Sequence, residues 1–313
     1  MVYRWLPFVI LLASCAVSSR TVQLKPELLA NWTKQLRDSQ TDDPFLLVYR
    51  KGNARVIIVA AQHDNDPDSK TFALIRDAFT LWKIDSVIVE GFASEAGPDA
   101  RPLLALATEA LDSDGKQPNG EVVPAVRSAV KMGSKILGGE PSDRDVLRVA
   151  NRNGVKSEDV LGFYVLRVIP QWLRDGSLTS TRDPRLANLV EQQLARSARD
   201  LGLADQPLSG FASWAQWYRS TNGKPIDAGI DIEEAGPLSD GPWPTNRIAS
   251  AISKARDAHV LHFVNDQISG GQSALVVFGG SHALILRPAL DQGLGQPCYV
   301  GSDVSKAKQR CLT

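Results

Sequence analysis

The sequence predicts an α/β fold of three layers (α/β/α), with helices on both faces of a mostly parallel central sheet and a helical lid insertion. Three short runs carry this prediction, at residues 56–61, 86–91 and 273–278. Each run is too short for a helix and rich in apolar and β-branched residues, as in strands buried on both faces. Polar residues or glycines end each run, and such β-α-β units favour parallel strands with right-handed crossovers.

Further elements are predicted around these strands. A lead-in strand at Phe45–Tyr49 and a hairpin turn at Lys51–Ala54 place an antiparallel edge strand before the first run. A short strand is expected at Lys135–Leu137, ahead of Glu140. Apolar spacings of three and four predict helices at 25–40, about 69–82, about 101–111, 124–132, 143–150 and about 245–269, and a further helix is expected at 283–290.

One domain, residues 25–300, is expected to contain these elements. A composition that is 43% hydrophobic over 313 residues is sufficient to bury a large core. Residues 157–236 have helical spacing and no clear strand, which indicates a helical lid over the carboxyl edge of the sheet. Residues 301–313 are expected to be a C-terminal tail.

The N-terminus predicts export. A charged start and a short apolar run, Trp5–Leu12, resemble a signal peptide, because the run is shorter than the ~20 residues of a membrane span. The tetrad that ends in Cys15 resembles a bacterial lipobox, which implies a signal peptide at 1–15, lipidation of Cys15 and a tether at 16–24. The alternative is an ordinary signal cleaved near Ala16 or Ser18. We expect a protein of the bacterial cell envelope, bound to the membrane through its lipid anchor.

Two cysteines remain after Cys15, and both lie near the C-terminus. In an oxidising compartment Cys298 and Cys311 are expected to form a disulfide, with a metal site as the weaker alternative because no other thiol is available.

The charge balance and the absence of known motifs exclude nucleic acid as an expected partner. Lys plus Arg equals Asp plus Glu, and no zinc-finger spacing or Walker loop is present, so nucleic-acid binding is not expected.

Histidines and glutamates gather at the predicted strand ends. His63, Glu90 and His282 follow or end the three apolar runs, and Glu140 follows the predicted fourth strand. Ligands bind at the carboxyl edge of such sheets. Two histidines with one or two glutamates suit a divalent metal with an open water position. The same residues can also act without metal, with one histidine as general base and a glutamate orienting it.

Structural roles are the alternative for several of these residues. Glu90 can cap the loop that follows it, and Glu140 can simply precede a helix capped by Ser142. His259 and His262 lie three residues apart on a predicted helix whose other face is apolar, which favours structural or solvent-facing roles.

The combined pattern resembles a known superfamily. A small-residue turn ends in His63, Glu90 is followed by glycine, an Arg-Asp pair at 256–257 lies in a late helix, and Gly-Gly-Ser precedes His282. This pattern resembles the erythromycin esterase/ChaN-like and TraB/Tiki superfamily over roughly residues 56–290, with the helical insertion least matched. The Gln-His-Asp-Asn turn and the lipobox make the chain most similar to ChaN-like haem-binding bacterial lipoproteins.

The resemblance implies site residues by position. His63 and Glu90 match the first histidine and glutamate of the family pattern, Arg256 its late arginine, and His282 its second histidine. Two departures are Ala60, where glycine usually begins the first motif, and His259-Val260, where methionine often follows the arginine. Family members include metal-dependent peptidases, metal-independent esterases and haem-binding lipoproteins, so the resemblance implies fold and site location but not chemistry.

Three functions follow as hypotheses. The first is a hydrolase of peptides or small-molecule esters. In this hypothesis His63, Glu90 and His282 hold a divalent metal or activate water directly. Glu140 assists, and Arg256 stabilises an oxyanion or an acidic substrate group. In the second, a haem or iron-binding lipoprotein has His63 as axial ligand, in a pocket lined by Trp214, Trp217 and Tyr218. The third is a non-catalytic interaction scaffold.

Overall fold

A computed structural model describes residues 23–41, 43–93 and 101–311. The predicted signal peptide at 1–15, the lipidation of Cys15 and most of the tether at 16–24 lie outside the described residues. Leu24, at the end of that tether, is buried, and its N–H donates to Asn265 Oδ1 at 2.9 Å. The folded body therefore begins before Lys25, where the sequence placed its start.

The predicted α/β class is confirmed by one six-stranded sheet of order β4-β3-β5-β2-β1-β6. β2, β5, β3 and β4 are parallel, and β1 is antiparallel to β2, as the predicted hairpin requires. The prediction that β1 is the edge strand is wrong, because β6 pairs antiparallel with its other side. The strands are β1 (Phe45–Lys51), β2 (Ala54–Ala61), β3 (Ser86–Ala93), β4 (Lys135–Glu140), β5 (Ala274–Gly279) and β6 (Tyr299–Gly301).

Side chains of the central strands alternate between two cores, as the period of two in a strand requires. On β2, Ile57 and Val59 enter one core, while Ile58 enters the core on the opposite face. Helices cover both faces, so the three layers are present. The first core contains α2 (Lys70–Leu81), α4 (Val122–Met132) and α12 (Val304–Cys311), and the second contains α10 (Pro244–Ser269) and α11 (Gly280–Leu294).

The first helical segment differs from its prediction. Residues 25–40 form a 3₁₀ turn, Pro26–Leu28, and a short α1, Lys34–Asp38, with an extended stretch between them. The N–H of Ala30 in that stretch donates to Ile285 O at 3.0 Å, so tertiary contact with α11 replaces helical hydrogen bonding. The predicted helix at 101–111 is likewise shortened to α3, Arg101–Ala105, and a 3₁₀ turn, Leu106–Thr108.

The insertion at 157–236 is helical, as its spacing indicates, and its hydrophobic core is shared with α10 and with the helix that precedes the insertion. The buried Glu234 carboxylate accepts hydrogen bonds from Tyr218 Oη at 2.5 Å and Asn222 Nδ2 at 2.8 Å. Thr245 Oγ1, on α10, donates to the Glu234 carbonyl at 2.7 Å, which ties the insertion to the domain. This region and its approach contain α5 (Asp143–Arg152), α6 (Ser157–Leu166), α7 (Ile169–Arg174), α8 (Leu186–Asp200) and α9 (Phe211–Asn222).

The C-terminal residues are folded, whereas the sequence predicted only a tail from residue 301. β6 pairs with β1, and α12 packs beside β1 and α2. A disulfide joins Cys298 to Cys311, as expected, and Cys311 is fully buried. The segment was missed because its three-residue strand and short helix give little periodicity of their own.

We predict that the double variant Cys298→Ser/Cys311→Ser unfolds more easily than the wild type. Closing a loop with a sequence separation of 13 restricts the unfolded chain, which is worth about 3 kcal/mol in the chain-entropy model. Urea denaturation with and without reductant measures this. Reductant is expected to destabilise the wild type and leave the double variant unchanged. Equal stability of oxidised wild type and variant contradicts the prediction.

Candidate functional site

The candidate site lies where neighbouring strands send their following helices to opposite faces of the sheet. α2 follows β2 on one face, and α11 follows β5 on the other. Such a switch point opens a crevice at the carboxyl ends of the strands. His63 follows β2, Glu90 lies near the end of β3, and His282 lies in the first turn of α11. The helix begins at Gly280, three residues before the predicted start, so His282 is helical.

Glu90 is the point where these elements meet. Its Oε2 accepts the N–H of Gly279 at 2.7 Å, and its Oε1 accepts Arg256 Nη2 at 2.9 Å. Nε2 of His282 lies 3.5 Å from Oε1, and Nε2 of His63 lies 3.8 Å from Oε2. Burial alone would raise the pKa of Glu90, but His282, Arg256 and the Gly279 N–H together hold it well below its usual value. Glu90 is therefore a carboxylate over the whole physiological range.

Arg256 bridges two carboxylates from neighbouring strands. Its Nε and Nη2 donate to the two oxygens of Glu140 at 2.6 and 2.5 Å, in addition to the bond with Glu90. Glu140 also accepts the N–H of Gly91 at 3.2 Å. The guanidinium fork suits such bidentate pairing. Glu140 and Arg256 thus belong to the same centre as Glu90, as the sequence predicted.

His63 forms a pair with Glu121, which the sequence analysis did not assign. Nδ1 of His63 lies 2.6 Å from Glu121 Oε1, and 63% of the His63 side chain is exposed against 8% of Glu121. Since a carboxylate only accepts, Nδ1 carries the proton and Nε2 of the neutral ring is free to accept one. The hydrogen bond with Glu121 raises the pKa of His63, against burial, which lowers it.

Loop contacts place Glu121 beside His63. The N–H of Gln117 donates to Asn65 O at 2.8 Å, which holds the loop before α4 against the turn after β2. Gly120, with φ of +55°, lies so close to the turn after β2 that an added Cβ would be 2.8 Å from Asp64 O. The sequence signal for Glu121 was a carboxylate directly before the apolar start of α4. Nothing in the sequence linked that carboxylate to His63.

His282 has a buried carboxylate partner of its own, Asp257, which follows Arg256 on α10. Nδ1 of His282 lies 2.6 Å from Asp257 Oδ1, and the two side chains are 8% and 1% exposed. Burial lowers the pKa of His282, but the bonds to Asp257 and Glu90 outweigh it and raise the pKa to about 9. His282 is therefore an imidazolium at neutral pH. The Arg-Asp pair is visible in the sequence, but no pattern there assigns Asp257 to the site.

Gly279 makes the close approach of these side chains possible. A Cβ at this position would lie 2.9 Å from His63 Nε2 and 3.6 Å from Glu90 Oε2. Any larger residue would therefore displace His63 from the centre or fill the space beside Glu90. Gly279 is the first of the two glycines before His282, and it leaves space beside His63 and Glu90.

Two cavities open onto His63 and Glu90. The larger, of about 670 Å³, lies beside the loop that precedes α4 and is lined by Asp64, Pro118 and Glu121 among others. The smaller, of about 310 Å³, extends between Arg256, His282 and the helical insertion. A reacting group held at His63 therefore has room on both sides.

The residues expected to hold a metal lie together, but hydrogen bonds within the protein already engage the carboxylate among them. Carboxylate-bound histidines are typical of metal sites. Both Glu90 oxygens, however, already accept N–H groups, and Arg256 places a positive charge beside one of them. Within residues 23–41, 43–93 and 101–311, no group of three or more His, Cys, Asp or Glu is arranged to hold a metal ion. Metal binding stays a prediction.

The aromatic residues expected to line a haem pocket lie elsewhere. Trp214, Trp217 and Tyr218 are buried in the core of the insertion and border neither of the two cavities at His63. Trp32 and Phe163 are the aromatic residues of the smaller cavity. These positions correct the proposed lining and leave haem ligation by His63 untested.

The other two histidines are not part of the centre. The His259 ring lies edge-on to Phe263 at 4.7 Å between centroids. His262 is 67% exposed and lies 3.5 Å from Asp266. Neither lines the two cavities.

Fold and site together define an α/β protein with a histidine–carboxylate centre at the carboxyl edge of its sheet. Comparison with protein-family models, with curated proteins and with solved structures finds no match for the chain. In the part of the chain that the structure describes, no helix is both long and apolar enough to cross a membrane.

We predict that Asp257→Asn reduces the loss of folding stability that occurs when pH is raised into the alkaline range. A pKa of about 9 in the folded protein, against about 6.5 unfolded, means that protonated His282 contributes about 3 kcal/mol. This contribution is complete below about pH 6.5 and is lost as pH rises through about 9. Asp257→Asn removes the main cause of the raised pKa, so the loss of stability on raising pH becomes smaller.

Urea denaturation at about pH 6 and about pH 9 measures this effect. Asp266→Asn is the matched control, because it makes the same change on the same helix beside the exposed His262. The control is expected to retain the wild-type difference between the two pH values. An Asp257→Asn protein with that same difference contradicts the assignment of His282 as a buried imidazolium.

Proposed function

We propose that this protein is a hydrolase of esters or peptides in which the Glu121–His63 pair activates water. One observation carries the proposal: Nδ1 of His63 is bound by a buried carboxylate at 2.6 Å, while the exposed ring presents Nε2 to both cavities. A histidine oriented in this way by a carboxylate is a common general base.

The proposed reaction uses the two groups that face each other across 3.8 Å, His63 Nε2 and Glu90 Oε2. One water can reach both at ordinary hydrogen-bond lengths. Nε2 accepts a proton from this water, the hydroxide attacks the carbonyl carbon, and the same proton then passes to the leaving oxygen or nitrogen. Arg256 and His282 line the smaller cavity, but carboxylates on Glu90, Glu140 and Asp257 already compensate their charges. The oxyanion-stabilising role expected of Arg256 therefore stays a prediction.

The proposal includes a location and a superfamily. An exported lipoprotein, anchored through Cys15, is supported by the lipobox-like tetrad in the sequence. The Cys298–Cys311 disulfide adds support, because such bonds persist in oxidising compartments. The motifs around His63, Glu90, Arg256 and His282 support placement in the erythromycin esterase/ChaN-like and TraB/Tiki superfamily.

We predict that His63→Gln lowers kcat by about 10²- to 10⁴-fold, the usual contribution of a general base. Glu121→Gln is expected to lower kcat and to change its pH dependence. Only neutral His63 accepts a proton, so wild-type activity rises with pH through the pKa of His63. Loss of Glu121 lowers that pKa, and the rise therefore moves to lower pH. Full-length protein assayed on p-nitrophenyl esters and fluorogenic peptides across pH measures both effects.

Glu158→Gln is the matched control, since Glu158 is exposed on α6 away from the site. It is expected to retain wild-type rates and the wild-type pH profile. Unchanged turnover in His63→Gln contradicts the proposal. Metal analysis and haemin titration of the same samples test the other chemistries. Stoichiometric metal lost with His63→Gln supports a metal-dependent hydrolase, and a His63-dependent haemin spectrum supports haem binding.

A further inference from the structure

The two cavities that meet at His63 and Glu90 differ in charge. Apart from His63, the charged groups of the larger cavity are carboxylates, on Asp64, Glu90 and Glu121. The smaller cavity contains two guanidinium groups, Arg167 and Arg256, and Glu90 as its carboxylate. An anionic group is therefore favoured in the smaller cavity and repelled from the larger one.

The two arginines of the smaller cavity have different surroundings. Arg256 is neutralised by its bonds with Glu90 and Glu140. Arg167 follows α6, and its Cζ lies 3.8 Å above the ring centroid of Tyr164. Within 4 Å, no carboxylate in the described part of the chain forms an ion pair with Arg167. The catalytic mechanism proposed above gives this cation no role.

Arg167 is exposed and rests on the ring of Tyr164, which is itself fixed by burial and a hydrogen bond. Tyr164 is buried, and its Oη donates to Asp143 Oδ1 at 2.7 Å, which fixes the ring on which the guanidinium rests. Stacking on an aromatic face leaves the N–H edge of the guanidinium available for planar anions. Arg167 also borders a cavity with Glu140 and Asp143, but those carboxylates are already bonded to Arg256 and Tyr164.

The remaining walls of the smaller cavity are largely apolar. They include Trp32, Phe163, Ile252 and Ile285. A volume of about 310 Å³ is at the lower end of the range for small-molecule sites. The cavity therefore suits a small apolar group and not an extended polymer.

We propose that the smaller cavity is a substrate subsite for a small apolar group that carries a carboxylate, and that Arg167 binds that carboxylate. The proposal rests on the hydrolase function, since the scissile carbonyl lies at His63 and the acyl side carries the negative charge. The planar fork of Arg167 matches a carboxylate in two hydrogen bonds. The acidic larger cavity repels the same group, so the substrate enters in one orientation with its leaving group towards Asp64 and Glu121.

Phenylacetate and its neutral counterpart phenylacetamide test the subsite without turnover. Isothermal titration of the full-length protein is expected to show about 10- to 100-fold tighter binding of phenylacetate, as charge-assisted hydrogen bonds provide. Arg167→Gln is expected to lose this preference and to keep its affinity for phenylacetamide, which also shows that the cavity is intact. Arg167→Lys keeps the charge without the planar fork and is expected to keep part of the preference. Arg174→Gln, an exposed arginine on α7, is the matched control with the full preference.

Equal affinity of the wild type for the two ligands, or an unchanged preference in Arg167→Gln, overturns the proposal. Failure of the hydrolase function is distinguished from this result, because binding is measured without any cleavage. A protein that cleaves no substrate but prefers phenylacetate through Arg167 retains the subsite and loses the hydrolase. A protein that cleaves neutral esters without that preference retains the hydrolase and loses the subsite.

Discussion

The architecture of the site depends on one largely buried carboxylate, Glu90, whose side chain is 16% exposed. It accepts an N–H from the end of β5 through Gly279 and a guanidinium from α10 through Arg256. An uncompensated buried charge costs several kcal/mol, so the position of each of these donors is constrained by the need to satisfy Glu90. Three elements that are distant in the sequence are thereby held in register at one edge of the sheet.

The same need for compensation separates the groups that fix the site from the group that can react. Partly buried Arg256 and buried His282 each have carboxylate partners, Glu140 and Asp257, and their charges are committed to the framework. His63 also has a buried partner, but most of its own side chain is exposed. A proton can therefore be exchanged at His63 without disturbing the buried pairs.

Sequence periodicity predicted the elements that carry His63, Glu90 and His282, because each follows or ends a long, strongly apolar strand. It did not find Glu121 or Asp257, since their partners lie 58 and 25 residues away and no local pattern encodes such a pairing. The extended stretch around Ala30 was predicted as helix for the same reason, because its hydrogen bond to Ile285 is tertiary. Local spacing thus specifies elements, while buried charge pairs are decided by the assembled fold.

The smaller cavity combines residues of the proposed reaction with residues that can select the substrate, and the two sets come from different parts of the chain. His63, Glu90 and His282 lie at the sheet edge, where strand pairing fixes their positions. Phe163 and Arg167 come from the helical insertion, whose hydrophobic core includes α5 and the first half of α10 but is separate from the two cores of the sheet. Changes in the insertion can therefore alter the size and charge of the cavity while the buried pairs of the centre remain satisfied. The insertion is accordingly the part of the chain in which substrate preference can vary independently of the reaction.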